Sequence, residues 1–134
     1  MLTLAGLAAV PAHADVKAGV DAWTAGDFAG AVREWAGPAA QGDPDTQFNM
    51  GQAYRLGRGV ETDVEQAEAL YAKAAAQGHA GAQYYLGICH EEGRSVSRNS
   101  AKAKEWYQKA AAQDHAGAQN NLAAMLEEAD AMEE

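Results

Sequence analysis

A spaced pair of histidines, a lone cysteine and several adjacent carboxylates are the side chains whose types could do chemistry in this sequence. His79 and His115 could ligate a metal, Cys89 beside His90 could be an activated thiol, and Glu91-Glu92 or Glu127-Glu128 could divide acid and base roles. Spacing argues against each. His79 and His115 hold the same place in two copies of one phrase, and stacked helices stand roughly 8 to 10 Å apart, whereas zinc needs its ligands about 2 Å from one ion. Cys89 and His90 are consecutive, so on a helix they point about 100° apart. Neighbouring glutamates also face different ways, and a glycosidase needs two carboxylates facing each other across about 5 to 10 Å. No GxSxG, P-loop or HExxH motif occurs. The expectation is no catalytic residue, no metal and no cofactor.

What must position these residues is a repeat. AAAQGHAGAQYYLG, residues 74 to 87, returns thirty-six residues later as AAAQDHAGAQNNLA, with ten of fourteen positions identical. A weaker echo, AAQGDPDTQFNMG, begins at residue 39. Asp27, Asp63 and Asn99 each precede a helical pattern as N-caps. In those helices Ala31, Ala67 and Ala103 align, as do Trp35, Tyr71 and Tyr107 one turn later, making a core face. The first helix of each copy stops at Gly42, Gly78 or Asp114, where the chain takes a left-handed conformation. A second helix starts behind Asp43-Pro44, His79-Ala80 and His115-Ala116, and it aligns Met50, Leu86 and Leu122, each followed by Gly51, Gly87 or Ala123. GRGVETD and GRSVSRN connect the units, with Val60 and Val96 tucked against the helices. Residues 16 to 25 read as one more helix, joined by Gly26 to the Asp27 helix, and residues 116 to about 130 read as a last one.

Composition supports this reading. Ala dominates, β-branched residues are sparse and no strand-like alternation appears, which favours helices punctuated by Gly. The run MLTLAGLAAVPAHA, closed by Ala12-His13-Ala14, fits a secretory signal of residues 1 to 14, although no Lys or Arg precedes Lys17. It is too short to span a bilayer, which takes about 20 apolar residues. The expected mature domain is 15 to 134, divided into units 15 to 42, 43 to 78 and 79 to 114 and a capping helix at 115 to 131. A net charge of −9 argues against nucleic acid or anionic lipid as a general partner. With one cysteine, Cys89, no disulfide forms within the chain. Cys89 aligns with Ala53 and reads as a small buried residue.

The pattern A-x-Q-x-x-L-G-x-x-Y, then G-x-G-V-x-x-D, then a helix ending Y-x-K-A-A-x-Q-G resembles the Sel-1-like repeat, a relative of the tetratricopeptide repeat. It is carried by QFNMGQAYRLGRGVETDVEQAEALYAKAAAQG and AGAQYYLGICHEEGRSVSRNSAKAKEWYQKAAAQD. Ser95, Asn99, His90 and Asp114 depart from the pattern. The resemblance implies an all-α, right-handed solenoid of antiparallel helix pairs, about seven helices, whose concave groove holds other proteins. By that analogy the helices bearing Met50 and Leu86 line the groove, and a row of side chains faces a protein or peptide: Phe48, Gln52 and Arg55; then Tyr84, Ile88 and Glu91; then Asn120, with Ala124 and Glu127.

The function expected is a non-catalytic, exported interaction module, placed in the periplasm. A hydrolase-type activity on cell-wall or β-lactam substrates is the alternative from a different class. It is disfavoured because the cysteine-rich relatives associated with β-lactams carry a Cys pair in each unit, and none occurs here. A module of a longer exported chain is a third reading.

Overall fold

A computed structural model describes residues 12–93 and 96–133 of the chain. Most of the expected signal segment and the connector residue Ser95 lie outside the described residues. Seven helices follow in order: α1 (Ala12–Thr24), α2 (Phe28–Ala40), α3 (Pro44–Leu56), α4 (Val64–Ala76), α5 (Ala80–Glu92), α6 (Ser100–Ala111) and α7 (Ala116–Glu133). No strand occurs among the described residues. Each helix packs mainly on its neighbours in sequence, so α1/α2, α3/α4 and α5/α6 form pairs and α7 closes the row as an α-solenoid.

The helix boundaries follow from local chemistry. Asp27, Asp63 and Asn99 cap α2, α4 and α6, their side-chain oxygens accepting from the N–H groups of Gly30, Gln66 and Lys102 at 2.9, 3.0 and 3.0 Å. Asp43, His79 and His115 do the same for α3, α5 and α7, accepting from Thr46, Ala82 and Ala118 at 2.8, 3.1 and 3.1 Å. The histidines accept through Nδ1. Gly42, Gly78 and Asp114 take left-handed φ values of 98°, 89° and 64° between paired units, as expected.

Packing between units has one recurring device. Trp35, Tyr71 and Tyr107 are buried, and each ring lies over a glycine of the paired helix: Gly19, Gly51 and Gly87 respectively. A Cβ at Gly51 would stand 2.6 Å from the Tyr71 ring, and a Cβ at Gly19 or Gly87 would also collide with its aromatic partner. Glycine is required there by close approach rather than by backbone angle. Gly19 escapes the thirty-six-residue register because α1 and α2 lack the long connector, which shortens the glycine-to-aromatic separation from twenty residues to sixteen.

The repeated glutamines tie successive pairs together. Gln47, Gln83 and Gln119 donate from Nε2 to the carbonyls of Ala39, Ala75 and Ala111, near the ends of α2, α4 and α6, at 3.2, 3.3 and 3.3 Å. Each of these carbonyls also accepts from the backbone N–H of the turn residue three positions on, Gly42, Gly78 or Asp114, so the glutamine adds a second bond that joins the helix to the next pair. Gln77 and Gln113 add bonds of 2.9 and 3.0 Å to Gln47 Oε1 and Gln83 Oε1. At α7 the pattern thins. Leu122 is half-buried and Ala123 exposed, whereas Leu86 and Gly87 are buried under α6.

Candidate functional site

The residues of the expected row do not share one environment. Phe48, on α3, stacks on the His79 ring at 4.6 Å and lies 5.9 Å from Tyr85, so it bridges α3 to α5. Gln52 accepts a hydrogen bond from the Tyr71 hydroxyl and another, 3.0 Å long, from Arg55 Nε. The Arg55 guanidinium then covers the Tyr85 ring, 4.8 Å from its centroid. Tyr84 faces the next junction, stacked on His115 at 4.6 Å and 6.1 Å from Tyr107. Glu91 accepts from the Tyr107 hydroxyl at 2.5 Å. Ile88 is half-buried between the two groups, and Asn120 is exposed on α7. Gln52 and Arg55 thus bond each other and Arg55 shares a hollow with Ile88, whereas Glu91 serves the α5–α6 contact and Tyr84, with Ile88, packs against the α6–α7 cluster.

Both tyrosine hydroxyls are tuned by what surrounds them. Burial, opposed by the hydrogen bond and charge of Arg55, pushes the Tyr71 phenol well above its ordinary value. Burial and the Glu91 hydrogen bond push Tyr107 up, with Asn121 opposing. Both therefore stay protonated donors across physiological pH, holding Gln52 and Glu91 in place.

Equivalent hollows open at successive junctions of this face. The first, about 290 Å³, has Val20, Trp23, Leu56 and Arg58 among its walls. The second, about 250 Å³, is lined by Arg55, Glu68, Tyr71, Tyr85, Ile88 and Glu92, among others. A third, about 300 Å³, lies between α5, α6 and α7, with Glu91, Arg98, Lys104, Met125 and Leu126 in its walls. Repetition therefore gives one hollow per unit, and substitution gives each a different character.

The residues that could do chemistry have other work. His79 and His115 are caps and stacking partners, and His79 Nε2 lies 3.3 Å from Asp45. No cluster of three metal-ligating side chains occurs among the described residues. Cys89 is half-buried and lines the second hollow with Tyr71 and Tyr85. Two side-chain atoms are buried without a hydrogen-bond partner among the described residues: Glu68 Oε1 and His90 Nδ1. Sequence reading passed over Glu68, although a signal was present. It follows Val64 by four positions and precedes Tyr71 by three, which places a carboxylate inside the apolar stripe of α4.

Comparison with known proteins agrees with this geometry. The Sel1 repeat pattern matches residues 44–79 and 80–115, more than half of the chain. Among solved structures, the chain is similar to a Sel1 repeat protein from Oxalobacter formigenes, 38% identical over 80% of this chain and 43% of that one, with a TM-score of 0.75. It is also similar to c5321, a protective antigen present in uropathogenic Escherichia coli strains displaying an SLR fold, at 32% identity over 85% of this chain and 25% of that one, TM-score 0.80. Helicobacter pylori cysteine rich protein B shares the fold alone, at 18% identity over 83% of this chain and 94% of that one, TM-score 0.66. The chain spans less than half the length of the first two structures. No curated protein matches it.

Proposed function

Because the chain belongs to the Sel1 repeat family, whose members are protein-interaction modules, we propose that it is a non-catalytic, exported adaptor. It binds a protein or peptide along the face formed by α3, α5 and α7. The observation that carries this reading is the series of hollows on that face, one at each unit junction and each differently lined. A helical array holds its backbone constant from unit to unit, so such a series reads an extended partner side chain by side chain. The non-catalytic part is supported by the use of His79, His115 and Glu91 in caps and junction bonds. Export rests on the apolar leader at residues 1 to 14, and the periplasm is the compartment it implies. No described helix is long and apolar enough to cross a membrane.

The test is capture from periplasmic extract with the full chain as bait, beside a Leu56→Asp/Ile88→Ser variant. Leu56 is exposed and Ile88 half-buried, and a matching helical melt serves as the control for folding. A protein retained by the wild type and lost by the variant is the expected result. One retained equally moves the site off this face, and the absence of any retained protein contradicts the adaptor. Nitrocefin turnover is expected to be nil, and measurable turnover would restore the hydrolase alternative.

A further inference from the structure

The hollow at the first junction, between α1, α2 and α3, differs from the others in charge. The second and third carry Glu68 and Glu92 or Glu91 and Glu128, and one bounded by α4, α5 and α6 carries Glu65 and Glu68. No carboxylate stands among the described residues lining the first, whose one charged group is Arg58. The ion pairs among the described residues, Lys17–Asp21 and His79–Asp45, leave Arg58 out. The connector fixes where this side chain starts. Gly59 lies so close to the beginning of α2 that a Cβ would stand 2.4 Å from the Phe28 carbonyl oxygen, and the Arg58 N–H donates to the Ala53 carbonyl at 3.0 Å. The guanidinium is thereby set over two rings, 5.1 Å from Phe28 and 6.0 Å from Trp23. A guanidinium laid over rings keeps its N–H edge for a carboxylate.

The rest of the wall is apolar or able to donate. Trp23 and Trp35, 5.5 Å apart, supply ring surface. Val20 and Leu56, two of the four exposed large apolar side chains among the described residues, stand beside them. Gln52 Oε1 already accepts from Tyr71 and Arg55, which leaves its Nε2 to donate, and Asn49 makes no side-chain hydrogen bond among the described residues. We propose that this hollow takes an extended segment of the partner protein in which an aliphatic side chain is followed two residues later by an aspartate or glutamate. The aliphatic group lies on Trp23, Trp35 and Leu56, and the carboxylate accepts from Arg58. Side chains i and i+2 of an extended chain leave the same face roughly 6.5 Å apart. Trp23 neighbours both Arg58 and Trp35, so the cation and the apolar wall are one ring apart. About 290 Å³ is at the small end of ligand pockets, enough for one aliphatic side chain and the carboxylate beside it. The overall charge of −9 disfavours a broadly acidic partner, whereas a single carboxylate meets no like charge at this hollow.

This inference rests on the adaptor reading, and its test needs no captured partner. Backbone amides and indole N–H groups of the full chain are followed by NMR while acetyl-Leu-Ala-Glu-amide is added. Acetyl-Leu-Ala-Gln-amide, which lacks only the charge, and acetyl-Ala-Ala-Glu-amide, which lacks the aliphatic group, are the controls. The first peptide is expected to shift the amides of Asn49, Leu56 and Arg58 and the Trp35 indole, and to half-saturate at a concentration about fivefold below either control, near the upper end for an exposed charge pair. Arg58→Gln should abolish the preference for glutamate over glutamine, with a matching helical melt as the control for folding. Equal half-saturation by the glutamate and glutamine peptides, or a preference that survives Arg58→Gln, would overturn the proposal. Tighter binding of acetyl-Leu-Ala with a free carboxyl end would also overturn it, by making the occupant a chain terminus. If the peptides are not distinguished while the Leu56→Asp/Ile88→Ser bait still loses its partner, the adaptor stands and this assignment of the hollow falls. If no protein is captured, the adaptor falls and the partner segment falls with it.

Discussion

The junctions built around Tyr71 and Tyr107 are two copies of one device closed by different chemistry. In both, a buried tyrosine lies over a glycine, Gly51 or Gly87, and its hydroxyl reaches the next turn of the paired helix. At Tyr71 that hydroxyl donates to Gln52, which Arg55 also serves; at Tyr107 it donates to Glu91, with Asn121 beside it. Ring and glycine are held constant because the helix spacing depends on them. The positions around the hydroxyl, 52 and 55 against 88 and 91, change sign and size without changing the fold. Variation is therefore concentrated where the face is open to a partner, and constancy where the units touch each other.

The largest break in this comparison should come from filling a hole. Gly87→Leu drives a branched side chain into the Tyr107 ring, and the cost should reach about 3 kcal/mol, near the upper end for overpacked cores. A large drop in the thermal melt is expected, and an unchanged melt would refute the pairing of Gly87 with Tyr107.

Removing the hydroxyls should separate the two junctions. Tyr107→Phe takes a donor from a carboxylate and should cost about 2 kcal/mol, whereas Tyr71→Phe leaves Gln52 with its Arg55 bond and should cost about 1 kcal/mol. Urea unfolding of both variants measures the difference, and equal costs would erase it.

Alkaline pH sharpens the same point. Both phenols are held above their ordinary value in the folded chain, so the folded state keeps these protons more tightly than the unfolded one. Their contribution is complete below the unfolded phenol value of about 10 and is lost as pH rises through the raised folded values. Stability should fall from about pH 10 upward, and either Tyr→Phe variant should flatten that fall.

The smallest expected effect is an exchange. Arg55→Glu gives the first junction the acceptor type of the second, at the loss of the Tyr85 contact, and the net change should stay within about 1 kcal/mol.

How much of this was legible in the sequence depends on whether a residue recurs. Asp27, Asp63 and Asn99 were readable as caps, and Trp35, Tyr71 and Tyr107 as core, because each appears at the repeat period with a local or helical reason. Gln47 and Gln83 are visible as repeated letters, but their purpose, a second bond to a carbonyl at the end of the preceding helix, depends on how the next helix packs back against it. His79 and His115 attracted a metal argument that spacing alone removed, and their capping role was hidden because histidine is an uncommon cap. Glu68 has no period at all: its counterparts are Val32 and Lys104. A lone carboxylate in an apolar stripe is a sign, yet only the packed structure shows that it stands between two hollows, one lined with α3 and α5 and the other with α5 and α6.

Hydrogen exchange by mass spectrometry on the chain with a captured partner, against the chain alone, tests most directly the claim that the variable face binds and the constant positions only build. Slowed exchange concentrated in 49–56 and 85–92, with α2 and the last turn of α4 unchanged, is what the account predicts. Protection confined to α2, α4 and α6 would place the partner on the opposite surface and contradict it.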